Sequence, residues 1–392
     1  DEISSIRFTS EKDEARWIAE EIKNIRNADK GKEVAIFYRT NSQSRLFEEE
    51  LRNLDLNYKL VGSVGFYERK EIKDIVSYLQ FLINDRDAIA FERIVNEPRR
   101  GIGETTLKKI REYMNENGCS IQEALESLYN IKNLSNRVIS NLLEFKDLIN
   151  ELKPYALQGP SKAIEKTLEL TGYKLNLIKD GTLESQNRIE NLDELLNSAF
   201  NFENLYDDEV DEPYAKLRDY LESISLFSET DNLEESDKIL LMTLHNAKGL
   251  EFPYVFITGM EENLFPHERS TNESKLALEE ETRLCYVGIT RAENKLYLTH
   301  SWSRTLWGGT VYNQPSRFLE WGSEHFKTVD FSVNFQQNDD SEFNIDKGQK
   351  IVHEKYGEGT VLEVNGNEIK VQFDDDIGIK YLDAEWAPIK FQ

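Results

Sequence analysis

Residues 238–260 read KILLMTLHNAKGLEFPYVFITGM. Two apolar runs flank a short polar connection, His245 to Glu251. Apolar on every position and short, each run reads as a strand buried on both faces, the kind found in parallel sheets covered by helices. Downstream, LALEEETRLCYVGITRA (276–292) reads as a helix and KLYLTHS (295–301) as a further strand. The same alternation opens the chain. Ala15, Ile18, Ile22 and Ile25 form a helical stripe in 11–27. EVAIFYRT (33–40) reads as a buried strand, SRLFEEELRNL (44–54) as a helix and NYKLVGS (57–63) as a strand. Helix and strand in alternation predict an α/β fold with a parallel sheet.

Between the two α/β stretches the pattern changes. Residues 68–229 carry helical patterns almost throughout, among them EIKDIVSYLQFLIND, TTLKKIREYMNENG and NRVISNLLEFKDLINEL. The simplest organisation is one α/β domain, 1–67 and 230–328, interrupted by a helical insertion, 68–229. Two separate α/β domains fit the order as well. Residues 329–345 are polar and acidic and read as a linker. Residues 346–392 hold short alternating segments and an Asn365-Gly366 turn signal, which predicts a small SH3 or Tudor-like β-barrel.

The chain has 392 residues, long enough for about two or three domains. Its net charge is −25, which argues against coating nucleic acid by bulk positive charge. The charge is uneven. Residues 184–237 carry 17 acids and three bases, and 330–392 carry 14 acids and six lysines, leaving only −3 on the rest. A local nucleic-acid channel is therefore electrostatically open to the motif-bearing remainder. Hydrophobic content of 39% excludes wholesale disorder. Cys119 and Cys285, far apart, exclude a disulfide scaffold and fit a reducing compartment, hence a cytoplasmic location. No apolar run reaches the roughly 18 residues of a membrane span, and no signal peptide opens the chain. Because the first residue is Asp1 rather than Met, a fragment is expected.

The sequence lacks G-x-x-x-x-G-K-[ST], G-x-S-x-G and H-E-x-x-H, and its five histidines are too scattered for a metal site. Three segments nevertheless crowd polar groups beside strands. In Phe37–Arg45 a strand end meets a helix start, a place for a phosphate or for an ordinary N-cap by Ser42 or Ser44. In Leu241–Phe252, Gly249 permits close approach, Lys248 can meet a phosphate and Glu251 can accept from a ribose; a solvated connection is the alternative. In Cys285–Ala292, Arg291 either caps helix carbonyls or reaches a phosphate across a cleft.

These segments carry a resemblance. YRTNSQSR, LMTLHNAKGLEFPYVFITGMEENLFPH and EEETRLCYVGITRAENKLYLT, with GFYERKEIKD and NEPRRGIGETTLKKI, resemble the motifs of superfamily 1 DNA helicases of the UvrD/Rep/PcrA group, in order and separation. The closing VHEKYGEGTV resembles the Tudor-like domain of the PcrA branch. The resemblance implies the C-terminal half of an ATP-dependent 3′→5′ helicase of DNA repair and replication: a second RecA-like domain, the 2B accessory insertion and the Tudor-like domain. ATP and Mg²⁺ would be held mainly by the half carrying Walker A, so no ATPase is expected of this chain alone. It further implies Arg291 as the catalytic arginine at the γ-phosphate, Glu251 and Gly249 beside the nucleotide, and Arg39, Asn41, His245, Lys248 and His267 on or near a single-stranded DNA track. Trp307 would stack on a base, or else lie in the core. Gly101, Gly103 and Thr106 would hold the duplex at a junction, unless the loop is a plain helix start. Thr282 stands where the group has a basic residue, and Arg283 is retained. The tail would bind RNA polymerase, with His353, Tyr356 and Trp386 as interface or core aromatics. No membrane contact and a monomer are expected. The alternative is a non-catalytic module that binds DNA and RNA polymerase.

Overall fold

The computed structural model describes residues 2–28, 31–206, 212–228, 239–306, 309–321, 323–331, 347–353, 357–365, 368–373, 379–383 and 389–391. The chain divides into two compact units, Asp1–Ser332 and Val333–Gln392.

The first unit opens with β1 (Glu2–Ser10), α1 (Glu11–Ala28), β2 (Val34–Tyr38), α2 (Ser44–Asn53) and the short β3 (Lys59–Leu60). In α1 the stripe Ala15, Ile18, Ile22 and Ile25 is buried, while Glu11, Asp13 and Glu14 sit in the first turn, where the helix dipole favours acids. Nine helices follow among the described residues: α3 (Lys70–Ile83), α4 (Ala88–Ile94), α5 (Glu104–Asn117), α6 (Ile121–Glu126), α7 (Asn136–Ala156), α8 (Pro160–Leu170), α9 (Tyr173–Asp180), α10 (Leu183–Leu205) and α11 (Ala215–Ser228). Then come β4 (Ile239–Thr243), β5 (Phe252–Ile257), α12 (Glu268–Glu273), α13 (Lys275–Ile289), β6 (Ala292–Leu306), β7 (Gly309–Tyr312) and β8 (Lys327–Asp330).

The strands form one sheet in the order β3-β4-β2-β5-β6-β1-β8, with β7 paired to β6. Every pairing along that order is parallel, and β7 runs antiparallel. Strand β2 explains the continuous apolar runs. Val34, Ile36 and Tyr38 enter the core under α1, while Ala35 and Phe37 enter a second core on the opposite face with Leu284 and Cys285 of α13. Each fully buried Ile or Phe contributes about 1.5–3 kcal/mol.

Helices α3 to α11 enclose a core of their own, from Phe66 to Ile224. Helix α3 runs through it with Ile72, Ile75, Tyr78, Leu79, Phe81 and Leu82 all buried. No strand occurs among the described residues of this stretch. Helical segment and sheet meet through charge. Arg45 of α2, itself buried, donates to Glu194 of α10 at 2.7 Å, and Arg69 at the start of the helical segment donates to the Ser44 hydroxyl of α2 at 2.8 Å.

The acidic stretch after the sheet begins later than the composition suggests. Residues Lys327–Asp330 form β8, with Val329 opposite Ile6 and Arg7 paired to Asp330 at 3.6 Å. Residues 332–346 lie outside the described residues.

The second unit holds β9 (Lys350–His353), β10 (Gly357–Asn365), β11 (Glu368–Phe373), β12 (Ile379–Asp383) and β13 (Ile389–Phe391) in the order β12-β11-β10-β9-β13, all antiparallel. Asn365 pairs with Glu368, so β10 and β11 form a hairpin; its connecting residues, 366 and 367, lie outside the described residues. Ile351, Val361, Val371 and Phe373 are buried. Tyr356, Trp386 and the side chain of His353 lie outside the described residues. No described helix is long and apolar enough to cross a membrane.

Candidate functional site

The polar segments gather at the two ends of the sheet. Strand β2 ends at Tyr38 opposite Thr243 of β4, so Arg39 and His245 leave neighbouring strands at the carboxyl end. Gln43 shapes the first of these turns: its Oε1 accepts from the N–H groups of Arg39 and Thr40, each at 2.9 Å. That side chain, rather than Ser42 or Ser44, organises the helix start. Ser44 instead donates to Glu48 and accepts from Arg69. Asn41 is half-buried in the same turn.

Arg39 is not open to solvent on its fork. Its Nε donates to Glu281 of α13 at 2.9 and 3.1 Å, and its Nη2 at 2.6 Å. The same carboxylate accepts from the His267 N–H at 3.2 Å and from the Ser270 hydroxyl at 3.0 Å. Burial would raise the Glu281 carboxyl; the Arg39 fork and these added donors overcome it and hold the acid below the usual carboxylate range. His245 is held below the ordinary histidine value by burial, then by the Arg39 charge, against Glu281 and Glu280. His267 caps α12 and reaches the helical segment, its Nε2 lying 3.5 Å from Glu190 of α10.

A second charged cluster stands behind the first. Arg304 of β6 donates to Glu261 at 2.7 Å from both Nε and Nη2 and to Glu14 at 2.9 Å. Glu14 and Glu261 are almost fully buried. Burial is offset by Arg304, which holds Glu261 low, and both acids raise the arginine. Glu14 accepts from the Gly259 N–H at 3.0 Å. Gly259 has φ +65, and a Cβ there would fall 2.5 Å from the Gln43 amide and 2.7 Å from Leu264. Glycine is required on both counts.

The amino ends of β5 and β6 are finished differently. Phe252 pairs with Ala292, which brings Gly249–Glu251 beside Arg291. Arg291 donates to the carbonyls of Val287 and Leu250, each at 3.0 Å, and to the Thr290 hydroxyl at 2.9 Å. It therefore caps α13 and ties that helix to the 249–251 loop. Gly249 has φ +85, and a Cβ there would meet nothing within 4 Å. Lys248 and Glu251 are exposed.

In the helical segment, Gly101 (φ +71) and Gly103 are exposed before α5. Thr106 is turned the other way: its side chain is buried and its N–H donates to the Gly103 carbonyl. Its backbone is thus committed within the helix start, and a contact there rests on the hydroxyl. Arg100 also points inward, donating to the carbonyls of Ile94, Val95, Glu97 and Pro98 and to the Tyr78 hydroxyl. Trp307 lies outside the described residues. Thr282 donates to the Leu278 carbonyl of its own helix, and Arg283 pairs with Glu279 and Glu280 on the exposed face.

Residues 1–303 match the UvrD-like helicase C-terminal domain. The chain belongs to that family. Residues 348–390 match the PcrA/UvrD tudor domain. A protein of Staphylococcus aureus (strain Mu50 / ATCC 700699) named ATP-dependent DNA helicase PcrA is 38% identical over 97% of this chain and 55% of its own length. Proteins of the same name from Leuconostoc citreum and Staphylococcus epidermidis are 36% and 37% identical, covering 57% and 56% of their lengths. The chain spans just over half the length of the curated relatives it matches.

Within this family frame, Glu281 is the residue that sequence reasoning missed. In EEETRL it looks like part of a solvated acidic run. The signal was in the period: Glu281, Leu284, Cys285 and Gly288 are the buried positions of α13, a helical i, i+3, i+4, i+7 stripe that includes an acid. Among the described residues no group of three or more His, Cys, Asp or Glu is arranged to hold a metal, and no metal ligand is assigned.

Proposed function

We propose that this chain is the C-terminal part of an ATP-dependent 3′→5′ DNA helicase and translocase working in repair and replication in the cytoplasm. The carrying observation is the separation of two polar clusters to opposite ends of one parallel sheet. Phe252 and Ile257, which pairs with Phe37, are five residues apart, about 17 Å along a strand. Glu251, Gly249 and Arg291 stand near one end; Arg39, Asn41, His245 and His267 stand near the other, with Lys248 on the segment between. A rigid sheet so furnished can link a nucleotide at one end to DNA at the other.

The residues at the amino end fit a nucleotide. Open space at Gly249 allows close approach of a phosphate or sugar. Glu251 is exposed and can accept from ribose hydroxyls. Arg291 presents a permanently charged planar fork whose present partners, carbonyl and hydroxyl oxygens, an anion would replace. ATP supplies the phosphoryl chemistry when bound, with Mg²⁺ held mainly by a Walker A domain that this sequence lacks. Arg39, Asn41, His245 and His267 at the carboxyl end, with Lys248 on the connecting segment, would line the single-stranded track, and Trp307 would stack on a base. The exposed Gly101 and Gly103 backbone would approach a duplex phosphate at the junction. The acid surplus of the Tudor-like unit disfavours DNA, and RNA polymerase is its proposed partner.

The test is Arg291→Ala in the full-length protein. DNA-stimulated ATP hydrolysis should collapse while single-stranded DNA binding persists; an unchanged ATPase removes Arg291 from the reaction. The second reading, a non-catalytic module binding DNA and RNA polymerase, draws on the capping bonds of Arg291. ATPase assay of residues 1–392 alone separates them from an enzyme complete in itself: no turnover is expected, and turnover would overturn the assignment of a missing nucleotide half.

A further inference from the structure

Glu281 differs from the acids beside it. The side chains of Glu279 and Glu280 are 47% and 70% exposed, and that of Glu281 is 4% exposed. Both of its oxygens are engaged, and three of its contacts come from Arg39. A carboxylate across the Nε and Nη2 of an arginine occupies the fork that a phosphate diester would take, with the same two parallel hydrogen bonds. The pair leaves Arg39 Nη1 outside it, and the Arg39 side chain keeps 18% exposure, enough for the guanidinium to be approached from outside. The acid does not depend on Arg39 alone: the His267 N–H and Ser270 hydroxyl remain its donors if the guanidinium leaves.

We propose that Glu281 is an internal competitor for the DNA backbone at Arg39, a positioning residue that holds the fork in place of a phosphate. Grip and release at this point of the track are then an exchange of one anion for another on the same guanidinium. The bare fork is never desolvated without a partner, which would cost several kcal/mol. The competitor keeps the affinity for any one phosphate low, as a moving track requires. The inference rests on the DNA-track reading of Arg39 given above.

The test measures binding of a (dT)16 oligonucleotide to the full-length protein by fluorescence anisotropy from 50 to 300 mM NaCl. Arg39→Ala should weaken binding and flatten the salt dependence by only part of the roughly 0.7 in log K against log salt that one single-strand phosphate contributes, because Glu281 withholds the guanidinium for the rest. Glu281→Gln should do the reverse, tightening binding about three- to ten-fold at low salt and steepening the slope by the remainder of that roughly 0.7, because an unopposed cation is released to the DNA. DNA-stimulated ATP turnover should fall as release slows. In the Arg39→Ala background Glu281→Gln should have no effect on affinity or slope. Weaker or unchanged binding in Glu281→Gln, or tightening that persists without Arg39, overturns the exchange. Should Glu281→Gln fail to fold, Glu281→Asp, which draws the carboxylate back by one methylene, should give an intermediate tightening, and a loss of affinity there overturns it equally. An Arg39→Ala protein with unaltered DNA binding would instead overturn the track reading itself.

Discussion

The two ends of the sheet contrast in how completely they are finished. At the carboxyl end every conspicuous charge has a partner within the chain: Arg39 with Glu281, Arg304 with Glu14 and Glu261. At the amino end Glu251 is exposed, Gly249 faces open space, and Arg291 bonds only neutral oxygens. One end is organised before any ligand arrives. The other offers groups whose electrostatic complement lies outside them. The difference matches their proposed tasks: a preset track on one side, half of a nucleotide site on the other.

The largest expected effect breaks this contrast from the unfinished end. Removing Arg291 deletes a group whose partners are all neutral oxygens, so stability should fall only by the loss of those capping bonds, about 1–2 kcal/mol. Turnover of the full-length protein should fall by about 10³-fold or more, as for other arginines at a transferring phosphate. A thermal melt alongside the ATPase assay reads both. A large drop in melting temperature would mean that Arg291 serves the fold, and the contrast between the ends would fail.

The reverse is expected at Arg304. It is half-buried with two carboxylates on it, and truncating it to Met leaves two buried acids without a countercharge. The cost should be about 3–5 kcal/mol, read as a fall in the denaturant midpoint. Replacing Glu14 by Gln should cost less, since Arg304 keeps Glu261 as its partner.

How much of this was legible beforehand follows from the same contrast. The strands at 33–40, 239–244 and 252–258 were readable because both faces of the sheet are covered, which leaves an uninterrupted apolar run. The helical segment was readable from its 3.6-residue period. The amino-end loop was readable as chemistry because His, Lys, Gly and Glu sit in one short stretch. The carboxyl-end pairs were not, because they join residues far apart in the chain: Arg39 to Glu281, Glu14 to Arg304. Periodicity registers an acid as polar and cannot say that a distant arginine has made it a core residue. Thr106 shows a related limit: beside exposed glycines it looks fully available, and only packing shows that most of it is buried. Strand β8 was hidden by its composition, since an edge strand such as Lys327–Asp330 can stay largely exposed.

A third prediction uses pH against the finished end. His300 of β6 is 7% exposed, lies opposite Arg7 in the sheet and has Nδ1 buried without a partner. Burial lowers its pKa to about 4 from the model-peptide 6.5, opposed by Glu261 and reinforced by Arg7. The folded state therefore binds fewer protons than the unfolded state between those values. Stability is full above pH 6.5 and falls as pH drops towards 4, by about 3 kcal/mol at the limit. His300→Gln should remove most of that slope between pH 6.5 and 4. A slope that survives the substitution would assign the acid sensitivity to the carboxylates of the two pairs.

The smallest effect separates two positive-φ glycines, one at each end of the sheet. Gly259→Ala combines a left-handed backbone with contacts of 2.5 Å to Gln43 and 2.7 Å to Leu264, and Gln43 is held by its bonds to the Arg39 and Thr40 N–H groups. Gly249→Ala carries the same backbone strain with nothing within 4 Å. The first should cost about 2–3 kcal/mol, strain and overpacking together; the second should cost only about 1 kcal/mol, strain alone. Function should invert the ranking at the amino end. The methyl at 249 would stand in the space a nucleotide needs, so Gly249→Ala should raise the KM for ATP in the full-length protein with little change in melting temperature. If Gly249→Ala proves as destabilising as Gly259→Ala, the loop is packed in solution, and the amino end is no less finished than the carboxyl end.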